Sequence, residues 1–231
     1  MTNKTKYYKS AMIAGISLVI MAIIAGFSYG FVFNSLVVAN NSMETLNNLI
    51  NAKSLFTFGV IGWFAIIITD LIVSLSLYIF LKDIDKKVSA FAAFLRLAYT
   101  LLLTLSATKL VSVNKLTLNV SEANESLARE VMSLLSAFEK VWSYGLIIFG
   151  VHLLLVGLVT YKSRYVPKLI SILLIIAGLS YTLLNLMYGV LPQIDSYTKI
   201  LEMILVLPMT IGELAFAIWL LIKGRKLTEV N

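Results

Sequence analysis

The sequence has no cysteine, three prolines and a single histidine among 231 residues. Without cysteine there is no disulfide framework, no thiol nucleophile and no thiolate metal site. One histidine cannot by itself supply a zinc centre, and no HExxH spacing accompanies it. A GxSxG elbow, a P-loop and a dinucleotide fingerprint are missing too, so the common hydrolase and nucleotide chemistries have no carrier. Charge is also scarce. Asp, Glu, Lys and Arg make up 13% of the chain, against about 25% in a soluble domain. No arginine-rich arm points to nucleic acid, and no long linker separates two domains.

What the chain does have is apolar surface. Hydrophobic residues are 59% of it, with a mean hydropathy of +0.91. A single soluble core of this length cannot bury that excess, so the solvent must be lipid. The pattern predicts an all-α, polytopic membrane protein: one membrane domain over 1–231, folded as a bundle of six transmembrane helices. The spans are expected at about 11–38, 55–81, 88–113, 141–161, 168–191 and 200–222. The basic start followed by an apolar run also describes a signal peptide. This run is longer than a signal h-region and lacks a clean cleavage site, so it reads as an uncleaved first span. Ala22, Gly26 and Gly30 recur every four residues, a stripe that suits close packing against a neighbouring helix.

Two polar stretches carry helical periodicity. Met43, Leu46, Leu49 and Ile50 mark a short amphipathic helix at 43–50. Leu127, Val131, Leu134 and Phe138 mark a second at 121–138, with Ser121 as its expected cap and Glu122 and Glu125 near its start. Both are expected to lie in the interface on the outer side. Pro167 suits the first turn of the fifth span, Pro192 its end, and Pro208 a kink in the sixth.

Charge sets the expected orientation. The termini and the loops at 82–87 and 162–168 carry 12 basic and 3 acidic residues, and the opposite face carries 6 and 7. An excess of Lys and Arg marks the cytoplasmic side, so both termini are expected in the cytoplasm, with the protein in a bacterial cell membrane. Trp142, Tyr144, Tyr188 and Tyr197 would form an outer aromatic belt, and Tyr7, Tyr8, Tyr161, Tyr165 and Trp219 an inner one.

Four ionisable residues interrupt the apolar runs: Asp70, Arg96, His152 and Glu213. Counted from the cytoplasmic end of each span at 1.5 Å per residue, they lie at roughly 16, 12, 14 and 14 Å. All four therefore sit near the middle of a hydrocarbon core about 30 Å thick. A lone charge there costs about 3 kcal/mol even on lenient scales, so the four should turn inward and satisfy one another. Asp70 and Arg96 come from consecutive antiparallel helices and are the expected ion pair, with Glu213 and His152 as a second. Tyr99, Thr100, Ser74 and Thr210 stand within one turn of these groups. The candidate binding set is Asp70, Arg96, His152, Glu213, Tyr99 and Thr210.

Two readings of this set stand: structural pairs that lock helix register, or the lining of a site for an ion, a proton or a small molecule. Three functions follow. The first is binding or translocation at the cluster. The second is a non-catalytic membrane partner or regulator working through its amphipathic segments. The third is a membrane-embedded enzyme on a lipid-like substrate, which needs an open cleft joining His152 and Glu213. No cofactor is expected, and the expected partners are the bilayer and an ion or small molecule.

Three separated segments resemble a known family. GLIIFGVHLLLVGLVTYKSRYVPKLISILLIIAGLSY is similar to a run, GLxxFGxHLLLLGYLxxxSxxxPxxLGxLLxxAGxGY, of the bacterial membrane protein family catalogued as domain of unknown function 4386. GELAFAIWLLIKG resembles that family's closing GEL…WLLxKG, and DLIVSLSLYIFLKDIDKKVSAFAAFLRLAYT its D…LYxLL…FRLxYA region. Asp70, Arg96, His152 and Glu213 fall on motif positions, as do Gly150, Gly157, Pro167, Gly178 and Gly212. Ile170-Ser171 stands where the family usually has leucine-glycine, which puts close packing of that helix in question. Leu179-Ser180 is a second departure. The resemblance implies a six-helix integral protein of a bacterial membrane and implies no reaction.

Overall fold

Lipid offers the backbone no hydrogen-bond partner, so long apolar runs without interior turn signals wind as helices. The computed structural model describes residues 3–190 and 195–223, and it is helical throughout, with no strand among the described residues. Helix α1 runs over 3–36: Asn3–Ala25 is α-helical, Gly26–Phe33 is wound as a π-helix, and Asn34–Leu36 is α-helical again. Then follow α2 (Ser42–Asn51), α3 (Lys53–Leu81), α4 (Lys86–Leu118), α5 (Glu125–Lys162), α6 (Lys168–Val190) and α7 (Asp195–Lys223). All but α2 are long and apolar enough to cross a membrane, so the chain is an all-α protein with six candidate spans. Pro192 lies outside the described residues.

The first amphipathic segment forms its own helix, α2. Asn41 caps it: its Oδ1 accepts the Glu44 N–H at 3.1 Å while its Nδ2 donates to Glu44 Oε2 at 2.7 Å. The second segment is different. It is the first half of α5, which runs unbroken for 38 residues, roughly 57 Å at 1.5 Å per residue. No glycine or proline stands between Phe138 and Trp142 to stop the helix. Its cap is Asn124, whose Oδ1 accepts the Leu127 N–H at 3.0 Å, rather than Ser121.

Contacts group the chain into two compact units: Met1–Ile20 with Thr69–Thr100 and Ser143–Asn231, and Met21–Ile68 with Leu101–Trp142. The second unit is organised by aromatic rings. Tyr29, Trp63 and Trp142 meet edge to face, with centroids 4.7 Å apart for Tyr29–Trp142 and 5.0 Å for Trp63–Trp142. Phe33 and Phe138 extend the cluster. The wider π turn lines up residues four apart, and Tyr29 stacks on Phe33 at 5.2 Å. Trp142 therefore packs as part of this ring cluster.

The stripe of Ala22, Gly26 and Gly30 is exposed, and no atom lies within 4 Å of where a Cβ on either glycine would stand. The opposite face of α1 packs instead, carrying Ser28, Val32 and Phe33, all buried. The small residues that permit this approach are Gly59 and Gly62 of α3, where a Cβ would come within 2.8 Å of Val32 and collide with the Ser28 hydroxyl. Both amphipathic segments also turn their apolar faces onto this unit. Leu46, Leu49, Val131, Leu135 and Phe138 are buried, and the Asn48 side chain donates to the Leu36 carbonyl at 3.2 Å. Both segments are thus packed within this unit.

In the first unit, helices approach through glycine. A Cβ on Gly178 of α6 would lie 2.6 Å from the Gly150 carbonyl of α5, and one on Gly150 would lie 2.7 Å from the Gly178 carbonyl. Gly212 of α7 meets the Leu173 carbonyl in the same way, at 2.8 Å. Trp219 is buried against Phe80 and Phe216.

Candidate functional site

The polar set lies within the first unit, and Arg96 is its hub. Helices α3 and α4 are joined by the short turn at 82–85, which brings Asp70 and Arg96 face to face. Arg96 Nε donates to Asp70 Oδ1 at 2.8 Å, and Nη2 reaches the same oxygen at 2.5 Å. The two N–H groups thus converge on one oxygen rather than spanning the carboxylate. The other oxygen, Oδ2, is taken by the Thr100 hydroxyl at 2.7 Å. Thr100 sits one turn from Arg96 on α4, with its hydroxyl 2.8 Å from the Arg96 carbonyl. A further tie between the two helices is the Ser74 hydroxyl, which donates to the Ala93 carbonyl at 3.1 Å.

The third Arg96 nitrogen, Nη1, lies 3.2 Å from His152 Nε2 on α5. His152 Nδ1 lies 2.8 Å from the Ala92 carbonyl. A carbonyl can only accept, so Nδ1 carries the proton and Nε2 presents its lone pair to the guanidinium. The imidazole is therefore the neutral Nδ1–H tautomer with both nitrogens engaged. The guanidinium also lies over the Phe149 ring, 5.2 Å from its centroid. Tyr99 and Tyr181 pack on the same ring at 4.9 and 5.2 Å.

Glu213 does not pair with His152. It hydrogen-bonds the Tyr181 hydroxyl of α6 and lies close enough to Arg96 and Asp70 to feel both charges. The reason is occupancy: His152 has already given its proton to Ala92 and its lone pair to Arg96. Arg96, His152 and Glu213 share the wall of a cavity of about 10 Å³, otherwise lined by leucine, valine and phenylalanine. That volume is at the threshold for one water molecule. Asp70 is 0% exposed, and Arg96 and His152 are each 1% exposed. Glu213 is half-buried.

The structure brings Asp70, Arg96, His152 and Glu213 to one place, with Tyr99 buried beside Phe149. Thr210 stays outside and is exposed. It lies about 100° round the helix from Met209, the residue that turns inward at that level. Tyr181 and the Ala92 carbonyl complete the site and were not singled out by sequence. Tyr181 ends the first family-like segment, a signal that was in view. A backbone carbonyl leaves no mark in a sequence.

The arrangement defines a class: a multi-pass membrane protein with a paired ionic network inside its spans. The chain belongs to the family described as a domain of unknown function (DUF4386), which matches residues 13–224. An uncharacterized protein of Archaeoglobus fulgidus is 33% identical over 184 residues, covering 79% of this chain and 93% of that protein. No solved structure matches the chain.

Proposed function

We propose that this protein lies in the cell membrane with both termini in the cytoplasm, and that its polar cluster binds a single small ion, a proton held at Glu213. The carrying observation is the position of Glu213. It shares a water-sized cavity with Arg96 and His152, and it hydrogen-bonds the Tyr181 phenol. Charge balance supports the same reading. Asp70 neutralises Arg96, and His152 is neutral by its hydrogen bonds, so an ionised Glu213 would leave one net negative charge among apolar walls. Such a charge costs about 3 kcal/mol or more inside a membrane, and a proton removes it. The cavity is too small for an organic substrate, and His152 offers no free nitrogen to act as a base. The enzyme reading therefore has no support from the geometry. The orientation is supported by the 12 basic residues of the termini and the loops at 82–87 and 162–168.

Infrared difference spectroscopy of the protein in lipid nanodiscs, titrated with acid and base, tests the proton. A protonated-carboxyl band that shifts in deuterium oxide is expected in the wild type and absent from Glu213→Gln. A wild type without that band, or a band that persists in the variant, defeats the reading.

A further inference from the structure

Two basic connections meet at one end of the first unit. The turn after α3 leads into Lys86 and Lys87, which open α4. Helix α5 ends on Lys162, Arg164 follows, and α6 opens on Lys168. Asp85 joins the two connections by accepting from Lys162 at 2.9 Å. The chain itself occupies both carboxylates of the α3–α4 turn. Asp85 takes Lys162 and the Val88 N–H, and Asp83 takes the Tyr7 hydroxyl. Lys86, Lys87, Arg164 and Lys168 are exposed, and none of them pairs with an acidic residue among the described residues. Lys168 instead donates to the Tyr161 carbonyl and lies over the Tyr161 ring, 4.3 Å from its centroid. Four positive charges therefore stand unbalanced on joined connections.

The charge stops where apolar surface begins. Phe91 is one turn along α4 from Lys87, and Ile172 is one turn along α6 from Lys168; both are exposed. A soluble anion would use the cations and leave these side chains uncovered. An anionic phospholipid uses both, its phosphate against the cations and its acyl chains along the apolar residues. We propose that the surface formed by these two connections binds the headgroup of an anionic phospholipid. Basic residues scattered over separate connections would orient the chain equally well. Their convergence through Asp85 is what a single headgroup requires. The site lies outside the buried cluster, and it needs neither the proton at Glu213 nor a particular orientation of the chain.

Spin-labelled lipids make the preference measurable. The protein is reconstituted in phosphatidylcholine bilayers with a trace of spin-labelled phosphatidylglycerol or spin-labelled phosphatidylcholine. The fraction of label immobilised on the protein gives the relative affinity. Both leaflets carry the label, so the result does not depend on which way the chain faces. The wild type is expected to favour phosphatidylglycerol by about fivefold or more, the effect of one or more cations near an anionic headgroup. Lys87→Gln and Arg164→Gln should each reduce that preference. The variant combining Lys86→Gln, Lys87→Gln, Arg164→Gln and Lys168→Gln should abolish it. Lys115→Gln with Lys140→Gln, two exposed cations of the second unit, should leave it unchanged. A wild type without preference overturns the site, as does a preference that survives the combined variant or is lost in the Lys115 and Lys140 pair. Inorganic phosphate, compared with sodium chloride at equal ionic strength, separates a lipid site from a soluble-anion site. Phosphate should displace no more labelled phosphatidylglycerol than chloride does, and stronger displacement by phosphate overturns the lipid assignment.

Discussion

Arg96 places two N–H groups on a single oxygen of Asp70, Oδ1, and leaves Oδ2 to the hydroxyl of Thr100. Every atom of that carboxylate able to accept is thereby engaged, and the guanidinium still has a nitrogen to reach His152. One arginine thus ties α3, α4 and α5 together. Breaking a buried pair on one side strands the other charge, a loss of about 3–5 kcal/mol. Asp70→Asn and Arg96→Gln should each show it in thermal unfolding in detergent. The double variant should lose clearly less than the sum of the two singles, because no charge is stranded. Additive losses would mean that the two residues act separately.

Glycine positions divide into two kinds. Gly178→Ala sets a methyl 2.6 Å from a backbone carbonyl that cannot swing aside, and it should destabilise by about 1–3 kcal/mol. Gly30→Ala meets open space and should be neutral or stabilise by up to about 1 kcal/mol through helix propensity. Unfolding midpoints of the two variants should therefore move in different directions or by very different amounts.

Ser171 is fully buried and its hydroxyl has no hydrogen-bond partner among the described residues. It is also a residue where the family-like pattern has glycine. The α6 backbone still packs closely here, with the Ser171 carbonyl 3.1 Å from where a Cβ on Gly157 would stand. Removing a buried, unsatisfied hydroxyl relieves a desolvation penalty of about 1–3 kcal/mol. Ser171→Ala should raise the unfolding midpoint, and a lowered midpoint would show that the hydroxyl has a partner.

Asp85 lies in the turn between α3 and α4. It accepts from Lys162 at 2.9 Å and from the Val88 N–H at 3.2 Å. The lysine first, and then the amide, hold its carboxyl below the ordinary carboxylate range. A depressed acid stabilises the fold above its unfolded-state value, and that contribution is lost as pH falls through the folded value. Acid titration of the unfolding midpoint should therefore show a low-pH limb that is weaker in Asp85→Asn and in Lys162→Gln. Lys162 is exposed and Asp85 partly so, and the limb should shrink further in high salt.

The absence of cysteine makes orientation directly testable, since each introduced thiol is the only one. With both termini in the cytoplasm, Arg164→Cys should be shielded from a membrane-impermeant maleimide in intact cells, while Asn119→Cys should react. The reverse pattern would invert the proposed topology.

The sequence by itself determined an all-helical chain with six candidate spans. Length and apolar composition decide what can cross a bilayer, and the count of residues along a helix decides depth. It also determined the Asp70–Arg96 pair, because a short turn forces two consecutive helices to run antiparallel with those residues level. What only the tertiary structure decided is rotation about each helix axis. In lipid the outer face of a span is as apolar as the inner one, so periodicity does not say which side turns inward. Hence Ala22, Gly26 and Gly30 face outward while Gly59 and Gly62 pack, Met209 turns inward where Thr210 does not, and Glu213 binds Tyr181. The tautomer of His152 needed the structure for another reason. It depends on the Ala92 carbonyl, a backbone atom that every residue type carries alike.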